Sequence, residues 1–426
     1  MNSLLRIPYA LAGAVTHALV RAIPAGSSKF QRGLSARRGI VDRYSRWGAT
    51  SRDRSRPLVW FHAPSVGEGL QALPVIELLR SRRPDVQIAY TFYSPSAEQF
   101  ARSVPADFVD YLPFDTFSDA DRVISALRPS ALVFSKLDIW PALTERAAAA
   151  RVPVGVISAT FPESSGRRGL LARALLGDAY RSIDRVGAID KKDGELLREQ
   201  GVRSDRIGVT GDTRYDQVWS RAQQPPSPLV QSLHSARPTL VAGSTWPTDE
   251  EHLLEAWTKI RDKIPDARLV IAPHESTAHY LRSIESWARG GSLRLARIDA
   301  GDVSDADVVL VDRYGILGGL YALGDAAYVG GGFQSAGVHS VLEPAAFGAP
   351  VLFGPRNEKS RDAARLIEAG GGAQVTGAVD LSFRLAEWLG SVSARDAAGA
   401  LARDMVEQGL GAAERSFALV TSLLAG

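Results

Sequence analysis

A repeated alternation restricts the fold of this chain more than any other feature. From Pro57 onward, short continuous apolar runs are each followed by a stretch of helical periodicity. The first runs are 58–63, 86–92, 131–134 and 152–157, with helical patterns such as 70–82 and 141–151 between them, and 186–189 and 207–210 extend the series. Unbroken apolar runs mark strands buried on both faces, and strands that alternate with helices make a parallel sheet covered on both sides. The pattern breaks at QQPPSP, residues 223–228, a proline-dense polar linker. It then resumes with runs near 239–242, 268–272, 307–311, 326–329, 350–353 and 373–375. A chain of 426 residues is long for one core and suits two. The expectation is an α/β protein of two Rossmann-like, doubly wound parallel-sheet domains facing a central cleft, with ligands at the carboxyl ends of the strands. The expected division is an apolar N-terminal helix over 1–24, a basic collar over 25–56, domains over 57–222 and 223–400, and a C-terminal helix over 401–426 that packs back on the first domain. The segment 394–424 reads as helical throughout.

Charge is unevenly placed. The first 56 residues hold 11 Lys and Arg against 2 Asp and Glu, so this segment is +9 and the remainder is −6. Residues 7–20 are apolar apart from Thr16 and His17. Fourteen helical residues reach about 21 Å, short of the roughly 30 Å of a bilayer's hydrocarbon core. The run also has the length of a signal-peptide core, but the dense basic cluster after it (Lys29, Arg32, Arg37, Arg38, Arg43, Arg46) favours a cytoplasmic location for that side. The expected partner of this segment is an anionic membrane surface, reached through an interfacial or marginal anchor. A nucleic-acid-binding arm is not expected, because aromatic interleaving stops at Phe30, Tyr44 and Trp47. There are no cysteines, and the seven histidines (17, 62, 234, 252, 274, 279, 339) show no metal-ligand spacing. No metal or other cofactor is expected, and the DAD triplets at 119–121 and 305–307 are too short to argue otherwise.

Four motifs sit where strands end. AAYVGGGFQSAGVHSVLEPAAFGAPVLFGP, 326–355, joins strand, glycine loop, helix and strand. Gly330, Gly331 and Gly332 let a ligand approach the backbone, a helix starting near Gly337 offers free N–H groups to an anion, and Glu343 can accept hydrogen bonds from two sugar hydroxyls. The plainer reading is a tight turn followed by a capping box of Ser340 and Glu343. APSVGEG, 63–69, places Glu68 at the start of the helix after the first strand, as a carboxylate base or as the partner of Ser65 in a capping box. AGSTWPTDEE, 242–251, offers Gly243, Ser244 and Thr245 to a phosphate, with Thr248 and Glu251 capping the next helix. IAPHE brings His274 to the same rim, and the run from Asp312 brings Arg313 and Gly315.

Taken together, SVGE, the Trp140–Pro141 pair, GST and above all GVHSVLEPAAFGAPVLFGP resemble the Kdo transferases of lipopolysaccharide biosynthesis, over nearly the whole chain. Members of that family move 3-deoxy-D-manno-octulosonic acid (Kdo) from CMP-Kdo to lipid A precursors. The resemblance implies a GT-B glycosyltransferase at the cytoplasmic face of the inner membrane, inverting and metal-free. It implies an acceptor domain first and a nucleotide-sugar domain second, with Glu68 as general base. The CMP-sugar would be held by Gly243, Ser244, Thr245, His274, Arg313, Gly315, Gly337, His339, Ser340 and Glu343. Ser65, Lys136 and Asp138 would touch acceptor or sugar. The chain departs from the family's motifs: SKLDIW stands for M-E-T-E-x-W, PHE for P-R-H-P, DRYGIL for D-T-M-G-E-L, and GVHS for G-G-H-N. Lys136, Ile316, Val338 and Ser340 are thereby unusual. They leave open another nucleotide sugar, an epimerase-like reaction in the same fold, or a non-catalytic membrane-surface binding protein.

Overall fold

Strands form where the apolar runs are long enough to be covered on both sides. The computed structural model describes residues 3–22, 26, 28–161, 169–300 and 303–425. Parts of the expected anchor (1–2, 23–24), collar (25, 27), domains (162–168, 301–302) and C-terminal helix (426) lie outside the described residues. Contacts divide the chain into unit 1, Met1–Gln217 with Leu410–Gly426, and unit 2, Val218–Gly409. The division falls inside helix Thr213–Gln223, before the proline-dense linker.

Unit 1 is built on β1 (Leu58–His62), β2 (Gln87–Phe92), β3 (Phe108–Tyr111), β4 (Ala131–Ser135), β5 (Val154–Ala159), β6 (Arg185–Ala188) and β7 (Ile207–Val209). All are parallel, in the order β3-β2-β1-β4-β5-β6-β7. β1, β2, β4 and β5 are buried at every position, as continuous apolar strands must be. β3 has no such run: FVDY lies at the sheet edge with its two middle residues half-buried, so it carries no strong strand signal. Tyr44, on helix Ile40–Thr50, is fully buried, packs edge-on against Trp60 and Phe108, and donates its hydroxyl hydrogen to the Tyr111 carbonyl at 2.7 Å. The collar is thus partly folded into the core of this unit.

Unit 2 repeats the plan with β8 (Thr239–Thr245), β9 (Arg268–Pro273), β10 (Leu295–Arg297), β11 (Val308–Leu310), β12 (Ala326–Val329), β13 (Val351–Phe353) and β14 (Gly372–Gln374). These are again all parallel, in the order β10-β11-β9-β8-β12-β13-β14. The unexpected strand here is β10, another half-exposed edge. The C-terminal segment is not one helix. Val392–Glu407 ends before Gly411, whose φ of 89° only glycine adopts without strain, and Ala412–Ser422 then packs on β5, β6 and helix Val66–Arg82 of unit 1.

Strand order also locates the rims. In unit 1 the chain builds outward from β1 to β3, then returns to place β4 on the other side of β1. In unit 2 it leaves β8 on one side and returns to place β12 on the other. Such a switch point opens a crevice at the carboxyl ends of the two adjacent strands, where α/β sheets bind ligands. Residues at and just beyond the carboxyl ends of β1, β4, β8 and β12 are therefore where chemistry is expected, and they include Glu68, Lys136, Ser244 and Gly330.

Candidate functional site

The rim of unit 1 is charged. Ser65 precedes helix Val66–Arg82, and Glu68 lies in its first turn. The capping box does not form. Ser65 makes no side-chain bond to the helix backbone and instead donates its hydroxyl to Glu68 Oε2. Lys136 Nζ approaches Glu68 Oε1 at 3.4 Å, and Ser135 Oγ donates to the Glu68 carbonyl at 2.8 Å. The glutamate is thus fixed from β4 as well as from its own helix. Gly69 permits this packing, because a Cβ there would lie 2.3 Å from the Phe100 ring. Lys136 itself has φ 63°, an unusual left-handed conformation for a residue with a side chain.

Beside this pair lies a buried histidine. His62 is fully buried; its Nδ1 is 3.0 Å from Thr91 Oγ1, and its Nε2 accepts the Trp140 indole N–H at 3.0 Å. The same indole N–H also points at Asp138 Oδ2, 3.1 Å away. With Nε2 accepting, the imidazole proton resides on Nδ1, and Trp140 is held over the rim with Tyr93 against it at 4.9 Å. Asp138 is therefore tied into the support of this rim.

The rim of unit 2 is aromatic. Trp246 follows β8, His274 follows β9 and His339 lies beyond β12; their rings stack in that order, Trp246 on His274 at 4.5 Å and His274 on His339 at 4.6 Å. The Trp246 indole N–H donates to His339 Nε2 at 3.2 Å. Burial, reinforced by the neighbouring His274, lowers the His339 pKa to about 4, so it is a neutral ring near neutrality. His274 is exposed, and its backbone N–H donates to the Thr245 carbonyl at 2.8 Å.

Several expectations for this rim are corrected. The glycines do not hold their backbone open for a ligand. A Cβ on Gly330 would lie 2.2 Å from the Ser244 carbonyl oxygen, and one on Gly332 would lie 2.5 Å from Gly354 N, so both let backbone pack on backbone. Three of the loop's donors are also spent: Gly331 N and Phe333 N donate to the buried Asp249 carboxylate, and Gly330 N to the Gly243 carbonyl. No helix begins at Gly337, whose φ is 89°. The helix there is Leu342–Ala346, capped by neither Ser340 nor Glu343, so Gly337–Ser340 provides no helix end for a phosphate. Thr245 is buried and donates its hydroxyl to Glu250, whose carboxyl burial pushes up to about 7. Asp249, rather than Thr248 or Glu251, caps helix Pro247–Lys263 by accepting from Trp246 N at 3.0 Å. Gly243 is buried beneath Tyr321, whose hydroxyl a Cβ would meet at 2.2 Å.

What stays available is Ser244, half-buried with φ 54° at a register shift in β8, and Ser340, exposed; neither hydroxyl has a hydrogen-bond partner among the described residues. Arg313 is exposed and paired with Asp299 at 2.6 Å. Gly315, with φ 84°, shapes the same loop, and Tyr314 accepts the Ser276 N–H at 3.0 Å, which links it to the segment after His274. Glu343 is held by Arg221 Nη1 at 3.1 Å; burial raises its pKa and Arg221 draws it back. Gly318 leaves room for that guanidinium, since a Cβ would fall 2.1 Å from Arg221 Nη1. Nothing in the sequence pattern distinguishes Arg221 from other helical arginines. Trp246 and Asp249 lie inside a quoted motif, but only their partners reveal their roles.

Helix Ser3–Ala22 has an inverted face. Arg6, Tyr9 and His17 bond to Glu145, Asp115 and Asp119 of unit 1, and Gly13 sits where a Cβ would meet Thr116 at 2.6 Å. Ile7, Leu11 and Val15, each one turn on, are 71%, 63% and 58% exposed. Among the described residues no helix is long and apolar enough to cross a membrane.

Comparison with known proteins places this architecture. A family model described as 3-deoxy-D-manno-octulosonic-acid transferase (kdotransferase) matches residues 35–217. A 3-deoxy-D-manno-octulosonic acid transferase of Haemophilus influenzae is 25% identical over 394 residues, covering 91% of this chain and 92% of the relative. One of Bordetella pertussis is 29% identical over 343 residues, covering 78% and 79%. Among solved structures, the UDP-GlcNAc 2-epimerase of Neisseria meningitidis bound to UDP-GlcNAc superposes with a TM-score of 0.64 at 15% identity, covering 86% of this chain and 99% of that one. That likeness concerns the fold alone, the GT-B architecture of two doubly wound parallel-sheet units.

Proposed function

We propose, from the match of residues 35–217 to the 3-deoxy-D-manno-octulosonic-acid transferase model and from relatives 25% and 29% identical over most of the chain, that it is a glycosyltransferase of lipopolysaccharide assembly that moves Kdo, or a close 3-deoxy-ulosonic acid, from its CMP ester to a lipid A-type acceptor. The observation that carries this reading is Glu68, a carboxylate at the switch-point rim of unit 1, held by Ser65 and Lys136 and still 19% exposed. In the proposed step the acceptor oxygen attacks the anomeric carbon from the side opposite the phosphate, with inversion. Its proton passes to Glu68, and the bond to the phosphate breaks with its electron pair going to CMP. Carboxylates within reach of the attacking hydroxyl typically contribute 10²–10⁴-fold as general bases.

Unit 2 supplies the nucleotide contacts. Glu343, oriented by Arg221, accepts the ribose hydroxyls, while Ser244 and Ser340 donate to the phosphate in place of the occupied glycine loop. The stack of Trp246, His274 and His339 offers a flat aromatic edge for the cytosine or the sugar. The reaction uses side-chain proton transfer, and no metal takes part in it.

The membrane reading rests on helix Ser3–Ala22. Arg6, Tyr9 and His17 are spent on unit 1 while Ile7, Leu11 and Val15 face out, the reverse of a helix that covers a core. We place that stripe in the headgroup region on the cytoplasmic face of the inner membrane, with the collar's arginines on anionic lipid.

Thermal shift and calorimetry with CMP, UDP and GDP test the donor class. Saturation at 100 times the dissociation constant stabilises a fold by about 2.7 kcal/mol. Selective stabilisation by CMP is expected, followed by transfer from CMP-Kdo to a lipid A precursor. A preference for UDP moves the reading toward the nucleotide-sugar epimerases that share the fold, and no response to any nucleotide overturns the enzyme.

A further inference from the structure

The pair formed by Glu68 and Lys136 poses a chemical problem for the proposed step. Both carboxylate oxygens of Glu68 are engaged at rest, Oε2 by the Ser65 hydroxyl and Oε1 by the Lys136 ammonium. Two of the carboxylate's roughly four acceptor sites are thus taken, and the acceptor hydroxyl must use those that remain or displace the ammonium. The donor class adds a second difficulty. A ulosonic acid carries its carboxylate directly on the anomeric carbon. The attacking oxygen must come within about 3–3.5 Å of that carbon, and the base within about 3 Å of that oxygen. The donor carboxylate is therefore brought within several ångströms of the Glu68 carboxylate, and two anions that close repel unless a cation lies between them.

Lys136 answers both difficulties. We propose that Lys136 is the residue that recognises the donor's carboxylate, and that in turning to it the ammonium releases Glu68 Oε1 to take the acceptor's proton. The inference rests on the transferase reading above. Its contact with Glu68, at 3.4 Å, is longer than the 2.7–2.9 Å usual for charge-assisted bonds, so little is lost when it turns. Its side chain is 42% exposed, and Glu68 is its one partner among the described residues, which leaves two of three ammonium hydrogens unspent. The backbone beneath it is firmly held: Lys136 N donates to the Ile157 carbonyl at 2.9 Å, and φ is 63°. Backbone strain of this sort persists where surrounding structure enforces a particular side-chain direction. A lysine also suits the motion better than an arginine, because its charge is a point on a flexible stem rather than a rigid fork.

The proton account closes without a further reactant. The ammonium keeps its three protons and exchanges one carboxylate partner for another. The acceptor's proton moves to Glu68 Oε1 as its oxygen bonds to the anomeric carbon, and CMP leaves with the electrons of the broken bond.

The test is steady-state kinetics of the full chain with CMP-Kdo and a lipid A precursor, together with inhibition by CMP, which has the nucleotide but lacks the sugar carboxylate. Lys136→Met should raise the donor KM at least tenfold while the CMP inhibition constant and the acceptor KM stay within twofold. Lys136→Arg should restore most of the donor KM, and Lys136→Gln serves in place of the methionine variant if that one melts early. A rise in acceptor KM alone overturns the proposal by placing the anion on the acceptor, and a fall in kcat alone overturns it by confining Lys136 to Glu68. A parallel rise in the CMP inhibition constant also overturns it, because the effect then does not depend on the carboxylate. If the wild-type chain does not turn over CMP-Kdo at all, the transferase reading fails and this inference with it. An active wild type with an unchanged donor KM in the methionine variant removes this inference alone.

Discussion

The two units share a plan of seven parallel strands, yet their switch-point rims are opposites. The rim of unit 1 keeps charge at the surface: Glu68, Lys136 and Asp138 are all partly exposed, and buried His62 bridges Thr91 and Trp140. The rim of unit 2 hides its charge. Asp249 and Glu250 are buried and spent on backbone and hydroxyl, and what faces outward is a stack of aromatic rings with two serines. One topology therefore yields a rim built to move a proton and a rim built to hold a neutral, flat ligand part. The difference lies in the side chains after the strands, since the strands themselves are interchangeable apolar runs.

The contrast is tested most severely at Glu68. Glu68→Gln keeps the Ser65 contact but cannot take a proton, and kcat should fall by about 10²–10⁴ while the thermal shift by CMP is unchanged. Equal loss of both would mean that the two rims do not divide the work. Next is the packing that gives unit 2 its closed glycine loop. Gly330→Ala forces a methyl onto the Ser244 carbonyl and should cost about 3 kcal/mol, seen as a drop in melting temperature. A stable variant would reopen the loop as a ligand cradle. Third, Arg221→Ala leaves Glu343 without its partner, and burial then drives that carboxyl further toward its neutral form. CMP affinity by calorimetry should weaken about tenfold, near 1.4 kcal/mol, with kcat at saturation little changed.

The smallest effects are in pH. Glu250 has a folded pKa of about 7, above its ordinary 4.5, so the neutral carboxyl is the form the fold favours. Its contribution is full below pH 4.5 and is lost as pH rises to 7. His339 runs the other way. Its folded pKa of about 4 lies below the ordinary 6.5, so stability is full above pH 6.5 and is lost as pH falls toward 4. Glu250→Gln should remove the alkaline loss, a gain on the order of 1 kcal/mol at pH 8, measured by denaturant titration across that range. An imidazole NMR titration should place His339 near 4. If it titrates near 6.5 instead, burial does not keep this ring neutral and the contrast between the units shrinks.

Much of the fold was legible because buried parallel strands announce themselves as apolar runs, and all but two strands fell on the runs expected, although the edge strands β7 and β14 have no buried position. The exceptions, β3 and β10, are edges with half-exposed residues, where hydrophobic continuity is not required. Glu68 was legible for a related reason: a strand followed at once by S-x-x-E places the acid at a strand's carboxyl end, whichever hydrogen bonds it then makes. The helix expected at Gly337 was misread because a glycine followed by polar residues looks like a start signal, whereas Gly337 takes a left-handed turn and the chain becomes helical only at Leu342. The glycine triplet was misread in the same way. Glycine is needed where anything approaches the backbone closely, and here the visitor is another stretch of backbone.

The sequence alone placed the domain boundary at 223–228, whereas the structure divides at Gln217 and Val218. What it determined was the class of fold, the absence of cysteine chemistry, the uneven charge and the strand-end position of the acid. Those are properties of composition and short-range period, set by how apolar residues are spaced along the chain. Only the tertiary structure decided that Lys136 reaches Glu68 across 68 positions, that Arg221 holds Glu343 across 122, and that Trp246, His274 and His339 form one stack. It also decided which face of helix Ser3–Ala22 looks outward, against the usual amphipathic order. Contacts of that kind depend on which strands become neighbours and where each loop leaves the sheet, and no local pattern of residue types records either.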